Sequence, residues 1–209
     1  MAVTEATASA SASGETLALP AGDAPVDMGR PRGVSNLATA LFVAGDFMVL
    51  VGLVAAYYAI RSQSFVWPPS GASLGTYLPS MIALTMVMTA ITMQWAVWGI
   101  RRNDQRTCLA ALGLTIFFAV AVLNGQWYEL AHLKFGIGAH AYGTFVYVLT
   151  GFHMLHLVAG IVLLVVILIR TVYGEFDADD HDSLTAVAIF WQFVNVAGLM
   201  AFSVLFLHP

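Results

Sequence analysis

The sequence predicts an all-α integral membrane protein, folded as a bundle of five transmembrane helices. Hydrophobic residues make up 59 % of the 209 residues and charged residues only 10 %, less than half the share found in an ordinary soluble domain. The mean hydropathy of the chain is +0.81. Five apolar segments are each long enough to cross the hydrocarbon core of a bilayer, which takes roughly 20 helical residues.

The first 33 residues differ in composition from everything that follows them. They are rich in Ala, Ser, Thr and Pro, and they lack the basic start and apolar block of a secretory signal. Such a stretch can bury too little apolar surface to fold alone. We expect residues 1–33 to form a disordered cytoplasmic tail, and residues 34–209 to form the five-helix transmembrane domain.

Three of the apolar segments have residues at or near their start that are favoured or tolerated at the beginning of a helix. The first segment opens at Ser35-Asn36, and the fifth is preceded by Asp182-Ser183, both pairs of cap-forming types. The second segment carries Pro79 in its first turn, where proline is tolerated. The predicted helices cover approximately residues 35–60, 78–100, 107–130, 139–171 and 184–207.

The distribution of basic residues predicts how the bundle is oriented. Six arginines fall on one side of it and two basic residues on the other. The six are Arg30, Arg32, Arg101, Arg102, Arg106 and Arg170, and the two are Arg61 and Lys134. Because cytoplasmic loops are enriched in Lys and Arg, this split places the N-terminus in the cytoplasm and the C-terminus outside.

Polar side chains occur at a similar depth in three of the predicted helices. With a helical rise of about 1.5 Å per residue, Asp46, Gln192 and Asn195 lie roughly 12 to 16 Å from the cytoplasmic side. His153 and His156, three residues apart and so on one helix face, lie roughly 16 to 21 Å from it. Since a polar group in hydrocarbon is costly, we hypothesise one buried hydrogen-bonded network of these five residues. The alternative is that each is satisfied locally, by a backbone carbonyl or a lipid headgroup.

A second polar group is predicted near the outer end of the third helix. Glu129 lies roughly 33 Å along that helix from Thr107, at the outer interface, and Gln126 precedes it by one turn. Trp67, in the first outer loop, is of a type that anchors proteins at the membrane interface. We assign Glu129, Gln126 and Trp67 to a lipid- or interface-facing group, and favour this over a catalytic role for Glu129.

Few kinds of chemistry fit these residues. The single cysteine excludes a disulfide framework and a cysteine-based metal cluster. A metal on His153, His156 and Asp46 has acceptable ligand types, but a structural histidine pair has the same spacing. No phosphate-binding glycine loop, activated nucleophile or nucleic-acid surface is evident, and a transporter would be expected to show internal repeats or broken helices. The residues favour a non-catalytic accessory subunit with no metal and no cofactor of its own.

Six motifs are distributed along the chain after the tail. They are Gly151-Phe152-His153-x-x-His156 followed by Gly160, Trp67-Pro68-Pro69, Gly125-Gln126-x-x-Glu129, Ala141-Tyr142-Gly143 with Phe145, Ala44-Gly45-Asp46-Phe47-Met48 continuing to Tyr57, and Phe190-Trp191-Gln192-Phe193-Val194-Asn195. Together they resemble subunit III of the haem–copper oxidases in its short five-helix bacterial form. By position, Asp46 resembles the family's buried carboxylate and Glu129 its third-helix acid. His153 and His156 resemble its paired histidines.

The resemblance implies a metal-free core subunit of a terminal oxidase, of the cytochrome c oxidase type, in a bacterial cell membrane. Such a complex reduces oxygen to water in the respiratory chain and pumps protons. Subunit I would hold the haems and copper, subunit II would receive electrons, and a larger respiratory supercomplex is compatible with this setting. For subunit III the resemblance implies bound phospholipid in a cleft, support of assembly and proton uptake, protection against turnover inactivation, and a path for oxygen.

Three positions depart from the family pattern. The buried carboxylate is usually a glutamate and is Asp46 here, while the last-helix histidine and aspartate are replaced by Gln192 and Asn195. The last two replacements keep hydrogen bonding and remove groups that can carry charge. We therefore predict a structural role for the network. The departures leave open a subunit III-like partner of a quinol oxidase or of a nitric oxide reductase, and more remotely a small membrane transporter.

Overall fold

The computed structural model describes residues 33–69, 72, 74–176 and 181–207, and its regular secondary structure there is entirely helical. Five helices are long and apolar enough to cross a membrane, which confirms the predicted fold class. They are α1 Val34–Arg61, α2 Tyr77–Arg101, α3 Gln105–Ala131, α4 Ala141–Val172 and α5 Asp182–Phe202, and α5 continues into a π-helical turn, Ser203–Leu207. The predicted tail falls on residues outside the described part of the chain, apart from Gly33. The membrane orientation stays a prediction.

The start of α1 is stabilised by a residue that is distant in the sequence. The helix begins after Gly33, whose φ of 86° is a conformation that glycine adopts without strain. The Gly33 N–H donates to Asp182 Oδ2 at 2.6 Å, and Asn36 Nδ2 lies 3.4 Å from Asp182 Oδ1. The sequence predicted that Ser35-Asn36 would cap α1, but the N-cap is Gly33 and no side chain of the helix start caps it. Asp182 lies in the first turn of α5, whose own N-cap is His181, and it joins the starts of α1 and α5.

Two other helices begin with local side-chain caps. Asp104 precedes α3, and its carboxylate accepts from the Thr107 backbone N–H at 3.1 Å and from the Thr107 hydroxyl at 2.5 Å. These hydrogen bonds lower the pKa of the exposed Asp104 carboxyl group. His140 precedes α4, and its Nδ1 accepts from the Gly143 N–H at 2.7 Å. Both caps satisfy a backbone donor that a helix start otherwise leaves unpaired.

Helices α2 and α3 form a tight antiparallel pair joined by a three-residue turn. Gly99, near the end of α2, lies so close to α3 that a Cβ there would be 2.9 Å from the Cys108 backbone nitrogen. The turn itself contains Asn103 in the left-handed region, with φ 61°. A larger residue at position 99 would therefore push the two helices apart.

Helix α5 occupies the centre of the bundle. It packs against α1, α2 and α4, while α3 packs against α2 and α4 on the far side. Trp191 on α5 is only 1 % exposed, and its ring lies against Gly160 of α4. A Cβ at position 160 would be 2.7 Å from that ring, so the glycine creates the space that the indole fills.

Helix α1 lies at the periphery. Only Leu50 and Tyr57 on this helix are buried, and Leu37, Leu41 and Met48 are more than 60 % exposed. Apolar surface of this extent is expected to face lipid or another protein chain in the membrane. Most of the contacts that hold α1 to the rest of the bundle are made with α5, and fewer are made with α4.

Candidate functional site

His153 of α4 is buried between α3 and α5, with an exposed fraction of 2 %. Its Nε2 lies 3.2 Å from the Val194 carbonyl oxygen, and its Nδ1 lies 2.9 Å from Gln126 Nε2 and 3.0 Å from Gln126 Oε1. A carbonyl can only accept, so Nε2 carries a proton and donates it to Val194. With Nδ1 accepting from the Gln126 amide, both ring nitrogens of a neutral imidazole are satisfied.

Gly198 makes the approach of His153 to α5 possible. A Cβ at this position would lie 2.5 Å from His153 Nε2 and 2.8 Å from Met86 Sδ, both closer than real contacts allow. The missing side chain therefore lets the imidazole reach the Val194 carbonyl on the same helix. This glycine was not among the residues singled out from the sequence, because nothing in the pattern of α5 shows which neighbour lies against it.

His156 of α4 contacts a different helix. Its Nε2 lies 2.8 Å from Asp46 Oδ2 of α1, and both side chains are largely buried. Its Nδ1 lies 2.8 Å from the Phe152 carbonyl oxygen one turn earlier, to which it donates. This contact joins α1 to α4, and it brings together two residues that the sequence predicted to lie at a similar level.

The contact between His156 and Asp46 is close but is not aligned as a hydrogen bond. His156 Nε2 lies 2.8 Å from Asp46 Oδ2. Among the described residues, that oxygen nevertheless has no aligned hydrogen-bond donor. The two side chains therefore meet as a close polar contact between α1 and α4.

Gln192 and Asn195 of α5 bond to α2 rather than to the histidines. Gln192 Nε2 donates to the Ala90 carbonyl oxygen at 3.0 Å. Asn195 Nδ2 donates to the Trp191 carbonyl at 2.9 Å, and its Oδ1 lies 2.7 Å from the Thr89 hydroxyl. These two amides therefore join α5 to α2.

A set of buried threonines extends these contacts to α3. Thr89 on α2 meets Asn195, while Thr115 on α3 lies 2.8 Å from the Thr92 hydroxyl on α2. All three threonines are fully or almost fully buried. Sequence reasoning missed them because threonine is uncharged and common in membrane helices, and the spacing of Thr89 and Thr92 on one face was the only available signal.

The five residues predicted to form one network thus lie in three separate groups within the described part of the chain. The groups are Asp46 with His156, His153 with Gln126 and the Val194 carbonyl, and the two α5 amides with α2. The reason is rotational: residues three apart are separated by about 60° around a helix, which is enough for two imidazoles to face different neighbours. Among the five predicted residues, as far as the structure describes them, Asp46 and His156 are the pair whose side chains meet directly.

Two of the three residues that the sequence assigned to a lipid- or interface-facing group, Gln126 and Trp67, instead bond to other side chains of the protein. Gln126 is buried and bonds to His153, so it belongs to the interior rather than to a lipid-facing group. Trp67 is half-buried, and its Nε1 donates to the Tyr57 hydroxyl at 3.0 Å. Its ring packs edge-on against Tyr57 and Tyr142, and so holds the loop between α1 and α2 against α1 and α4. Glu129 is half-buried near the end of α3, as its position predicts.

The chain was compared with known proteins. The family model for cytochrome c oxidase subunit III matches residues 29–208. The cytochrome c oxidase subunit 3 of Synechocystis sp. is 31 % identical over 169 residues, covering 80 % of this chain and 72 % of the relative. The probable cytochrome c oxidase subunit 3 of Nocardia farcinica is 29 % identical over 184 residues, and that of Mycobacterium leprae 30 % over 183 residues; each match covers 86 % of this chain and 90 % of the relative. This multi-pass bacterial membrane protein therefore belongs to the cytochrome c oxidase subunit III family and is part of a multi-subunit oxidase complex.

Proposed function

We propose that this chain is the metal-free core subunit of a terminal oxidase that reduces oxygen to water and pumps protons, and that it supports partner subunits which hold the haem and copper. Subunits I and II are its proposed partners. Family membership supports this proposal. So does the state of the described side chains: both nitrogens of His153 are engaged, and no three His, Cys, Asp or Glu side chains there are grouped around a common point.

The contact between Asp46 and His156 carries the proposal. The resemblance assigns these positions to the family's buried carboxylate and to one of its paired histidines, and the two side chains meet at 2.8 Å. They join α4 to α1, a helix with little buried surface of its own. We propose that the pair holds α1 in place against the rest of the subunit, and that proton uptake by the complex depends on it indirectly.

An apolar groove between α1, α4 and α5 is the proposed site of a phospholipid chain. Its volume is about 470 Å³, and its lining is almost entirely apolar: Ala38, Thr39, Phe42, Ala159, Leu163, Ala186, Val187 and Phe190. An acyl chain in this groove would cover apolar surface of both α1 and α5. Molecular oxygen, which is also apolar, is expected to enter the same space, so we propose this groove as the path for oxygen.

The proposal is tested by purifying the complex through an affinity tag on this chain in mild detergent. We expect haem and copper to co-purify, and a reduced-minus-oxidised spectrum to show haem in the complex but not in the separated chain. Oxygen consumption is then measured with reduced cytochrome c and, separately, with a quinol. Consumption with cytochrome c supports the oxidase proposed here, whereas consumption with quinol alone, or reduction of nitric oxide, identifies one of the related complexes.

Two outcomes would contradict the proposal. A chain that purifies alone, without haem-containing partners, and moves a solute into liposomes would be a transporter. The structural role of the Asp46–His156 pair is tested by Asp46→Asn. Loss of proton pumping in a complex that still assembles fully and retains α1 in place would show that Asp46 handles protons directly.

A further inference from the structure

A small cavity lies near the end of the bundle at which α3 ends and α4 begins, between α2, α3, α4 and α5. Its volume is about 30 Å³, and a single water needs roughly 10 to 15 Å³ of such space. Small residues provide the room, namely Ala83 on α2 with Gly198 and Ala201 on α5. The cavity is therefore large enough for one water molecule, and at most for two.

Three polar side chains with unused hydrogen-bonding capacity line this cavity. Glu129 is half-buried, and no donor among the described residues bonds to its carboxyl group. Thr150 lines the cavity from α4, and its hydroxyl likewise has no partner in the described part of the chain. Gln126 bonds to His153 and keeps further amide capacity. A carboxyl group that is half-buried in a membrane bundle is costly unless something bonds to it.

The cavity adjoins a larger groove at the same end of the bundle. This outer groove has a volume of about 310 Å³ and is lined in part by Tyr128, His132 and Lys134. Pro79 and Glu129 line both spaces, so Glu129 stands between the groove and the cavity. Tyr128, His132 and Lys134 give the groove polar groups to which water can bond.

We propose that the cavity is a water-binding site supplied through the outer groove, in which one ordered water bonds to the Glu129 carboxyl group, the Gln126 amide and the Thr150 hydroxyl. Three partners is the usual number for a buried water. The site satisfies an intramembrane carboxyl group for which the described chain provides no donor. Through Gln126, this water would also be connected to His153.

Radiolytic labelling of the intact oxidase complex tests this site. X-ray pulses generate hydroxyl radicals from bound water, and a methionine beside that water is oxidised faster than one in a dry core. Met86 lines the cavity, whereas Met93, two turns further along α2, is equally buried and does not line it. We expect Met86 to be oxidised several-fold faster than Met93. Equal rates for the two methionines would overturn the proposal.

Two variants separate bound water from general looseness of the fold. Ala201→Val fills the cavity and Glu129→Leu removes a polar partner, so each should lower Met86 oxidation towards the rate of Met93. Ala121→Val makes the same change as Ala201→Val on the exposed face of α3 and should leave the Met86 rate unchanged. An Ala201→Val or Glu129→Leu complex that assembles normally and keeps the full Met86 rate would overturn the proposal. If the Ala201→Val complex does not assemble, the Met86 oxidation rate of Glu129→Leu tests the proposal by itself. Glu129→Gln, which keeps the shape of the side chain, is then the control.

Discussion

Asp182, the first residue of α5, accepts a hydrogen bond of 2.6 Å from the backbone N–H of Gly33, 149 residues earlier in the chain. Because this bond replaces a local cap at the start of α1, Asp182→Ala should lower the free energy of unfolding by about 1 kcal/mol. Asp182→Asn keeps one acceptor oxygen and should lose less. Thermal unfolding of the purified protein in detergent measures both effects. Identical unfolding temperatures for Asp182→Ala and the unchanged protein would show that the contact contributes nothing.

Gly198→Ala should destabilise the bundle, because a Cβ there would lie 2.5 Å from His153 Nε2. Overpacking of this kind costs roughly 1 to 3 kcal/mol. Gly113→Ala on α3 is the matched control, since a Cβ at that position meets nothing within 4 Å. Denaturation of the two variants side by side tests the difference. A Gly198→Ala protein as stable as Gly113→Ala would mean that His153 can move aside freely.

The contact between Asp46 and His156 predicts energetic coupling between the two side chains. Because residues in direct contact couple by roughly 0.5 to 3 kcal/mol, Asp46→Asn and His156→Gln should not be additive. The double variant should be more stable than the sum of the two single losses predicts. A double-mutant cycle on the free energy of unfolding measures this. If the losses of the two single variants add up to the loss of the double variant, the two side chains are not energetically coupled.

Thr89→Val should destabilise the protein by removing a hydroxyl that lies 2.7 Å from Asn195 Oδ1 on α5 as well as 2.8 Å from the Met86 carbonyl oxygen of its own helix. Hydrogen bonds between helices in membranes are worth about 0.6 kcal/mol on average and at most about 1.7. Thr85→Val on the same helix is the control, since among the described residues the Thr85 hydroxyl bonds to the Met81 carbonyl of its own helix and to no other helix. The free energies of unfolding of the two variants are compared. Equal losses would show that the contact between Thr89 and Asn195 adds no stability.

The stability of the protein should depend on pH in a way that can be assigned to the carboxyl group of Asp104. Its pKa is lower in the folded protein because its carboxylate accepts hydrogen bonds from Thr107. A carboxyl group with a lowered pKa stabilises the fold above its unfolded pKa, about 4, and this stabilisation is lost as the pH falls through the folded value. Asp104→Asn keeps a good cap and does not titrate. As the pH is lowered from neutral through about 4, the unchanged protein should therefore lose more stability than Asp104→Asn does. A stability difference between the two proteins that does not depend on pH would contradict this.

The number of helices and the common level of Asp46 and His156 were predictable from the sequence. Composition and segment length are enough for the first, because the thickness of the bilayer sets the length of an apolar helix. A constant rise per residue is enough for the second, which is why Asp46 and His156 were placed at a common level and do meet.

The partner of each polar side chain was less predictable. Depth says nothing about how far each helix is rotated about its axis, and that rotation decides whether His153 faces α1 or α5. Gln126 was placed at the interface because it precedes Glu129 by one turn, whereas its own side chain points to His153. Long-range contacts such as Gly33 with Asp182 depend on the packing of distant helices, which no local pattern encodes.

The central position of α5 has a consequence for biogenesis. During synthesis, α1 and α2 enter the membrane well before α5, although each of them packs against it. Until the ribosome has passed residue 202, the earlier helices lack their common neighbour, and Asp46 and His156 can pair only in an incomplete assembly. The last span thus acts as the closing step of insertion, so a translational arrest before it should leave a nascent chain that quality-control proteases recognise.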